Sequence, residues 1–203
     1  MNRNGFAAVC ASGVLVAAVI LGACGSSPST SPTSDTSLAA TAAVVDRLAS
    51  ISSAVDAWRD ADELVAALVA AETAANLIVG PGGPGYGDRN GDGAIDGATD
   101  VGLLPGLDGT PAGLATSLVA TGCVERDLLG GQWEDPVARW AEMNAAIDAW
   151  RPDANTMPSL ASHPMRVVGW STFTLGSDSL DEVHEYAGHA RLHVDISADA
   201  LTC

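Results

Sequence analysis

The chain has 203 residues, with 25 acidic side chains set against nine arginines, no lysine and a formal net charge of −16. That length is enough for one ordinary domain with a core and too short for two large ones. The charge repels nucleic acid and anionic headgroups and suits calcium, cationic ligands or simply solubility. The missing lysine removes phosphate-loop, Schiff-base and pyridoxal phosphate chemistry.

The N-terminus opens "MNRNGFAAVCASGVLVAAVILGAC". Arg3 supplies a positive start, Phe6 to Leu21 form an apolar run, and small residues precede Cys24. This layout is that of a secretory signal over residues 1–23 rather than of a span to be kept. The ending "LGAC" resembles the lipobox of bacterial lipoproteins. The resemblance implies cleavage before Cys24, lipid on its sulfur and acylation of the new amine. An ordinary cleaved signal or a retained anchor with a chance cysteine is the alternative. Several acyl chains at ~0.8 kcal/mol per buried methylene hold a protein on a bilayer where one would not. The expected location is the extracytoplasmic side of a bacterial envelope, with the membrane reached through lipid. Residues 24–37, "CGSSPSTSPTSDTS", lack any recurring apolar position and read as the lipidated Cys24 and a disordered tether. Removing residues 1–23 leaves eight arginines against all 25 acids, a net charge of −17.

The domain proper is expected over residues 38–203. From Leu38, Val44, Leu48, Ile51, Val55 and Trp58 recur three or four apart, the spacing of an amphipathic helix. Asp60 and Glu63 have capping-box spacing, starting a second helix or continuing the first through "ELVAALVAAETAANLIV" until Gly80-Pro81 stops it. Residues 80–110 are rich in glycine and acids with no sustained period, and form a long loop. Thr110-Pro111 has the form of an N-cap with proline at the first helical position, predicting a helix through Leu114, Leu118 and Val119 toward Cys123. Asp135-Pro136 repeats that signature before "VARWAEMNAAIDAW", which Pro152 ends. The stretch from Met157 to Ser177 fits a strand by Val167, Val168 and "STFT", or a short helix by its neighbours. Ser179 and Glu182 then open a last helix with Val183, Ala187, Ala190, Val194 and Leu201 as its apolar face. The expected fold is mostly α, an antiparallel helical bundle with the acidic loop inserted.

"AVDAWR" at 54–59 and "AIDAWR" at 146–151 are nearly the same. The match stops at once, so coincidence in an Ala-rich chain explains it better than duplication. Trp58, Trp140 and Trp150 sit at helix-core spacing, with Val55 and Ile147 three residues before the first and last of them. Cys123 and Cys203 are left as an even pair for an oxidising compartment and are predicted to bond, closing a loop of 80 residues. Two free thiols are the alternative.

The densest chemistry lies in "GDRNGDGAIDGATD", residues 87–100. With Asp88 as position 1, Asn90 and Asp92 fall at 3 and 5. Gly93 falls at the turn, the Ala94 carbonyl at 7, and Asp96 at 9. In these residues the loop resembles the EF-hand and its relatives in extracellular repeats. It departs at position 12, where Thr99 stands in place of a bidentate glutamate and Asp100 comes one step late. "GPGGPGYG" before it cannot be an entering helix, and no second loop partners it. The expectation is a weak structural calcium site, on the order of 10⁻⁴ M, against plain Asn-Gly and Asp-Gly turns.

On the last helix Glu185, His189 and His193 are spaced i, i+4 and i+8, beside Glu182, opposite Val183, Ala187 and Val194. That spacing permits a transition metal, and His163, Met165 and Met157 offer softer ligands for copper. A solvated polar face is the plainer reading. No HExxH motif, di-iron ExxH pair or nucleophile elbow is present, since "GWSTF" around Ser171 lacks the second glycine. The chain is too short for a two-lobed solute receptor. The function expected is a lipid-anchored binding or structural module with a calcium clip and a protein or small-ligand partner. The alternative is a transition-metal protein or metalloenzyme using the Glu/His face.

Overall fold

A computed structural model describes residues 33–203. The signal sequence 1–23, Cys24 and the tether to residue 32 lie outside the described residues. Among the described residues the chain is mostly α: α1 Thr33–Arg59, α2 Leu64–Val79, α3 Pro136–Ala149, α4 His163–Leu175 and α5 Leu180–Asp199. Short tight turns at Leu114–Ser117 and Met157–Ser159 and a wide turn at Val124–Leu129 join them. The helix period from Leu38 is realised, but α1 starts earlier than expected and takes in Thr33–Ser37. Ser, Thr and Asp suit a helix's first turn even where composition reads as tether.

The apolar spacing of α1 becomes a core stripe: Val44, Leu48, Ile51, Val55 and Trp58 are all buried. By length and composition the stretch Thr36–Arg59 is also apolar enough to cross a membrane, but this stripe packs against protein. α1 packs on α2 and α5, and α4 packs on α5 and α2, so four helices form a closed ring around the core. α3 lies outside it against α4. Within the ring the Trp58 indole N–H donates to the Val183 carbonyl of α5 (3.1 Å), and outside it Trp140 of α3 donates to the Pro105 carbonyl of the loop (2.9 Å). Cys123 and Cys203 sit at disulfide distance, with Cα atoms 6.3 Å apart.

Several local readings need correction. The capping box at Asp60 and Glu63 does not form, because Arg59 next door holds Asp60 (2.8 Å) and Glu63 becomes the N-cap without a side-chain bond. The helix expected from Thr110-Pro111 to Cys123 is absent. Gly113 has φ +79°, and a Cβ there would lie 2.4 Å from the Leu104 carbonyl carbon. The next amides, of Leu114 and Ala115, donate across to the Gly102 and Leu103 carbonyls (3.0 Å each). Backbone donors spent on a distant segment cannot make helix bonds. Val119 is exposed.

The ambiguous stretch resolves as helix α4. Ser162 caps it by accepting from the Met165 amide (3.4 Å), Pro164 occupies the first turn, and Val167 and Val168 face the core. In α5 Ser179 caps the Glu182 amide (3.4 Å), while Glu182 turns to the Ser177 hydroxyl (2.8 Å) rather than closing the reciprocal bond. Trp150 is the C-cap of α3, and both it and Ile147 pack half-buried against the core. The Trp150 ring packs on Phe173 at 4.6 Å, within a cluster that includes Trp170 and Tyr186.

Candidate functional site

The acidic loop is built onto α2. That helix is apolar nearly all round, so two of its three polar residues, Glu72 and Asn76, one turn apart and fully buried, must find partners. They find the loop backbone. Glu72 Oε2 accepts from the amides of Arg89 (2.7 Å) and Asn90 (2.8 Å), and Oε1 from Asp96 (2.9 Å). Asn76 Nδ2 donates to the carbonyls of Gly87 (2.9 Å) and Asp96 (2.8 Å), and its Oδ1 accepts from the Gly87 amide (3.1 Å). Two side chains of one helix thus hold both ends of the segment 87–96. Gly97 then passes so close to α2 that a Cβ would lie 2.5 Å from the Thr73 carbonyl oxygen, at a backbone φ of +72°.

Within the loop the acidic side chains fold inward on their own backbone. Asp88 accepts from the amides of Gly91 (2.7 Å), Asp92 (3.1 Å) and Gly93 (2.9 Å). Asn90 accepts from Asp92 (2.9 Å) and Asp92 from Ala94 (2.8 Å). Each such bond uses one lone pair of a carboxylate oxygen and leaves others for a cation. Asp96 is different. Its Oδ2 is buried with no hydrogen-bond partner among the described residues. Its pKa is raised, first by burial and then by the charges of Asp92 and Glu72, with Asn90 opposing. Negative charge therefore converges on Asp96 without a matching cation among the described residues.

Thr99 and Asp100 stand apart from that set. The Thr99 hydroxyl accepts from Arg47 Nη2 (2.7 Å) and donates to the Val101 carbonyl (3.1 Å), while its backbone meets the Tyr86 hydroxyl. Arg47, on α1, also donates to the carbonyls of Leu77 (2.9 Å) and Val101 (2.6 Å), and burial lowers its pKa. It pins the outgoing end of the loop to two helices. Asp100 is exposed.

The histidine face of α5 is not the solvated stripe expected. His193 is buried and its Nδ1 lies 3.0 Å from Nδ1 of His163, the first residue of α4. Burial, then His163, Arg166 and His189, lower its pKa to about 3; burial also lowers that of His163. His189 stacks on Trp170, ring centroids 4.4 Å apart, and Glu185 is exposed. Met157 and Met165 are core residues. The arc of α5 that packs is wide because α1 and α4 cover it from two sides. Ser171 is buried and donates to the Ala71 carbonyl (2.9 Å). Among the described residues no group of three or more His, Cys, Asp or Glu side chains is gathered as a ready-made metal site.

Sequence reasoning located the loop but missed Glu72, Asn76 and Arg47. The first two carried a signal, since two polar residues at i, i+4 within an apolar helix must be satisfied by something. The comparisons add no relative: the chain matches no protein-family model, no curated protein and no solved structure.

Proposed function

We infer that the chain is a lipid-anchored, extracytoplasmic helical-bundle module whose loop is clipped by calcium. The ion's ligands would be side-chain oxygens of Asp88, Asn90, Asp92 and Asp96 and the Ala94 carbonyl. The observation that carries the reading is Asp96, whose buried, unpartnered oxygen and raised pKa mark unneutralised acid beside Asp92 and Glu72. Calcium takes hard oxygens, including carbonyl, amide and water, so this mixed set suits it better than a transition metal. Thr99, held by Arg47, and exposed Asp100 supply no bidentate carboxylate, which favours weak affinity and a structural role. Attachment would be through Cys24, and the negative field disfavours nucleic acid as a partner. The test is the melting point with and without millimolar calcium. A rise in the wild type that is absent in Asp96→Asn supports the clip; equal melting curves would remove it.

Transition-metal binding at α5 is the second reading, and the His163–His193 contact favours it. It moves the ligand pair away from exposed Glu185. Zinc or copper uptake abolished by His193→Ala and untouched by Glu185→Ala would support it.

A further inference from the structure

In a chain that otherwise repels anions, one buried site calls for one. Arg89 leaves the loop between Asp88 and Asn90 and turns its guanidinium inward. The one side-chain hydrogen bond it makes among the described residues runs from Nη2 to the Thr172 hydroxyl of α4 (2.8 Å). Nη1 is buried without a partner among the described residues. Glu72 is the acid whose charge reaches the guanidinium. The Glu72 oxygens are already engaged by the amides of Arg89, Asn90 and Asp96. A guanidinium has five N–H donors, and a buried cation with so few acceptors is an unmet demand for negative charge.

Arg89 is among the residues lining a cleft of about 410 Å3 between the loop and α3. Gly85, in the same lining, lies against it: a Cβ there would be in ordinary contact with the Arg89 Nε, at 3.6 Å. Met143 and Ile147 give the α3 wall an apolar patch, and Asp148 stands at the same wall. Asp148 is exposed, and its carboxylate makes no hydrogen bond or ion pair among the described residues. A simple anion would have to approach against the field of the whole chain and then sit near Asp148. A zwitterion crosses that field without net charge and meets both groups.

We propose that this cleft binds a free α-amino acid with an apolar side chain. The carboxylate pairs with Arg89, the ammonium with Asp148, and the side chain lies on Met143 and Ile147. The volume fits such a ligand, within the range of small-molecule sites. The proposal does not depend on calcium binding.

Calorimetry of the full chain with leucine tests it, alongside N-acetyl-leucine, which lacks the ammonium, and leucinamide, which lacks the carboxylate. The expected result is saturable leucine binding, weakened at least about tenfold in both analogues and in Asp148→Asn. Arg89→Gln should abolish it. Should Arg89→Gln fail to fold, the surface variant Asp148→Asn and the two analogues still decide. The proposal is overturned if leucine, isoleucine, valine, methionine and phenylalanine all fail to bind. It is equally overturned if leucine and N-acetyl-leucine bind alike and Asp148→Asn changes nothing.

Discussion

Acidification from pH 7 to pH 5 should weaken this protein through one pair of side chains. His193 is 8 % exposed and its folded pKa is about 3, against about 6.5 in an unfolded chain. The folded value is the depressed one, so the unfolded state binds protons first as pH falls. The stabilising contribution is therefore complete above about pH 6.5 and is lost progressively down to about pH 3. By pH 5 the unfolded histidine has gained about 1.5 pH units of protonation free energy, or ~2 kcal/mol at 1.36 kcal/mol per unit. The full shift sets a ceiling near ~5 kcal/mol at pH 3. His163, 3.0 Å away, is lowered as well, so the loss belongs to the pair rather than to either ring. Urea unfolding at pH 7, 6 and 5, on wild type and His193→Gln, reads the effect as the difference between two slopes. The wild type should lose about 2 kcal/mol more than the variant between pH 7 and 5. Parallel slopes would refute the reasoning, because they would mean that His193 protonates in the fold as easily as in water.

Three further outcomes follow from the packing. Glu72→Gln turns an acceptor oxygen into an amide donor facing the amides of the loop, and should cost about 3 kcal/mol by chemical denaturation. A cost under half of that would mean that the loop holds itself. Gly97→Ala should cost at least ~1 kcal/mol from its positive φ alone, with more from the Cβ 2.5 Å from the Thr73 carbonyl oxygen; an unchanged melting point would refute that close approach. Reducing the Cys123–Cys203 pair, 80 residues apart, should lower stability by about 4 kcal/mol on chain entropy. Alkylation of two thiols without reductant would instead show that the bond is not made.

Much of the helical framework was legible because its signals are local. The spacing of Val44, Leu48, Ile51, Val55 and Trp58 names a core stripe, and all five are buried. Asp135-Pro136 marks the start of α3, where Asp135 accepts from the Ala138 amide (3.0 Å). The same proline signature misled at Thr110-Pro111, because the amides beyond Gly113 bond to residues 102 and 103, a pairing no local window contains. The acidic loop was visible in its own residues. Its anchor was not, because Glu72 and Asn76 lie up to 24 residues upstream and meet the loop only after α2 is packed. His193 was placed on the wrong side for a similar reason. A helical wheel gives the apolar face of α5 but not how many helices cover it.

Calcium titration of the chain by calorimetry, with Asp92→Ala as control, tests the central proposal most directly. The account predicts one site per chain with a Kd on the order of 10⁻⁴ M, lost in the variant. No heat of binding in the wild type, or equal binding in Asp92→Ala, would contradict it and leave residues 87–100 as turns held by Glu72 and Asn76.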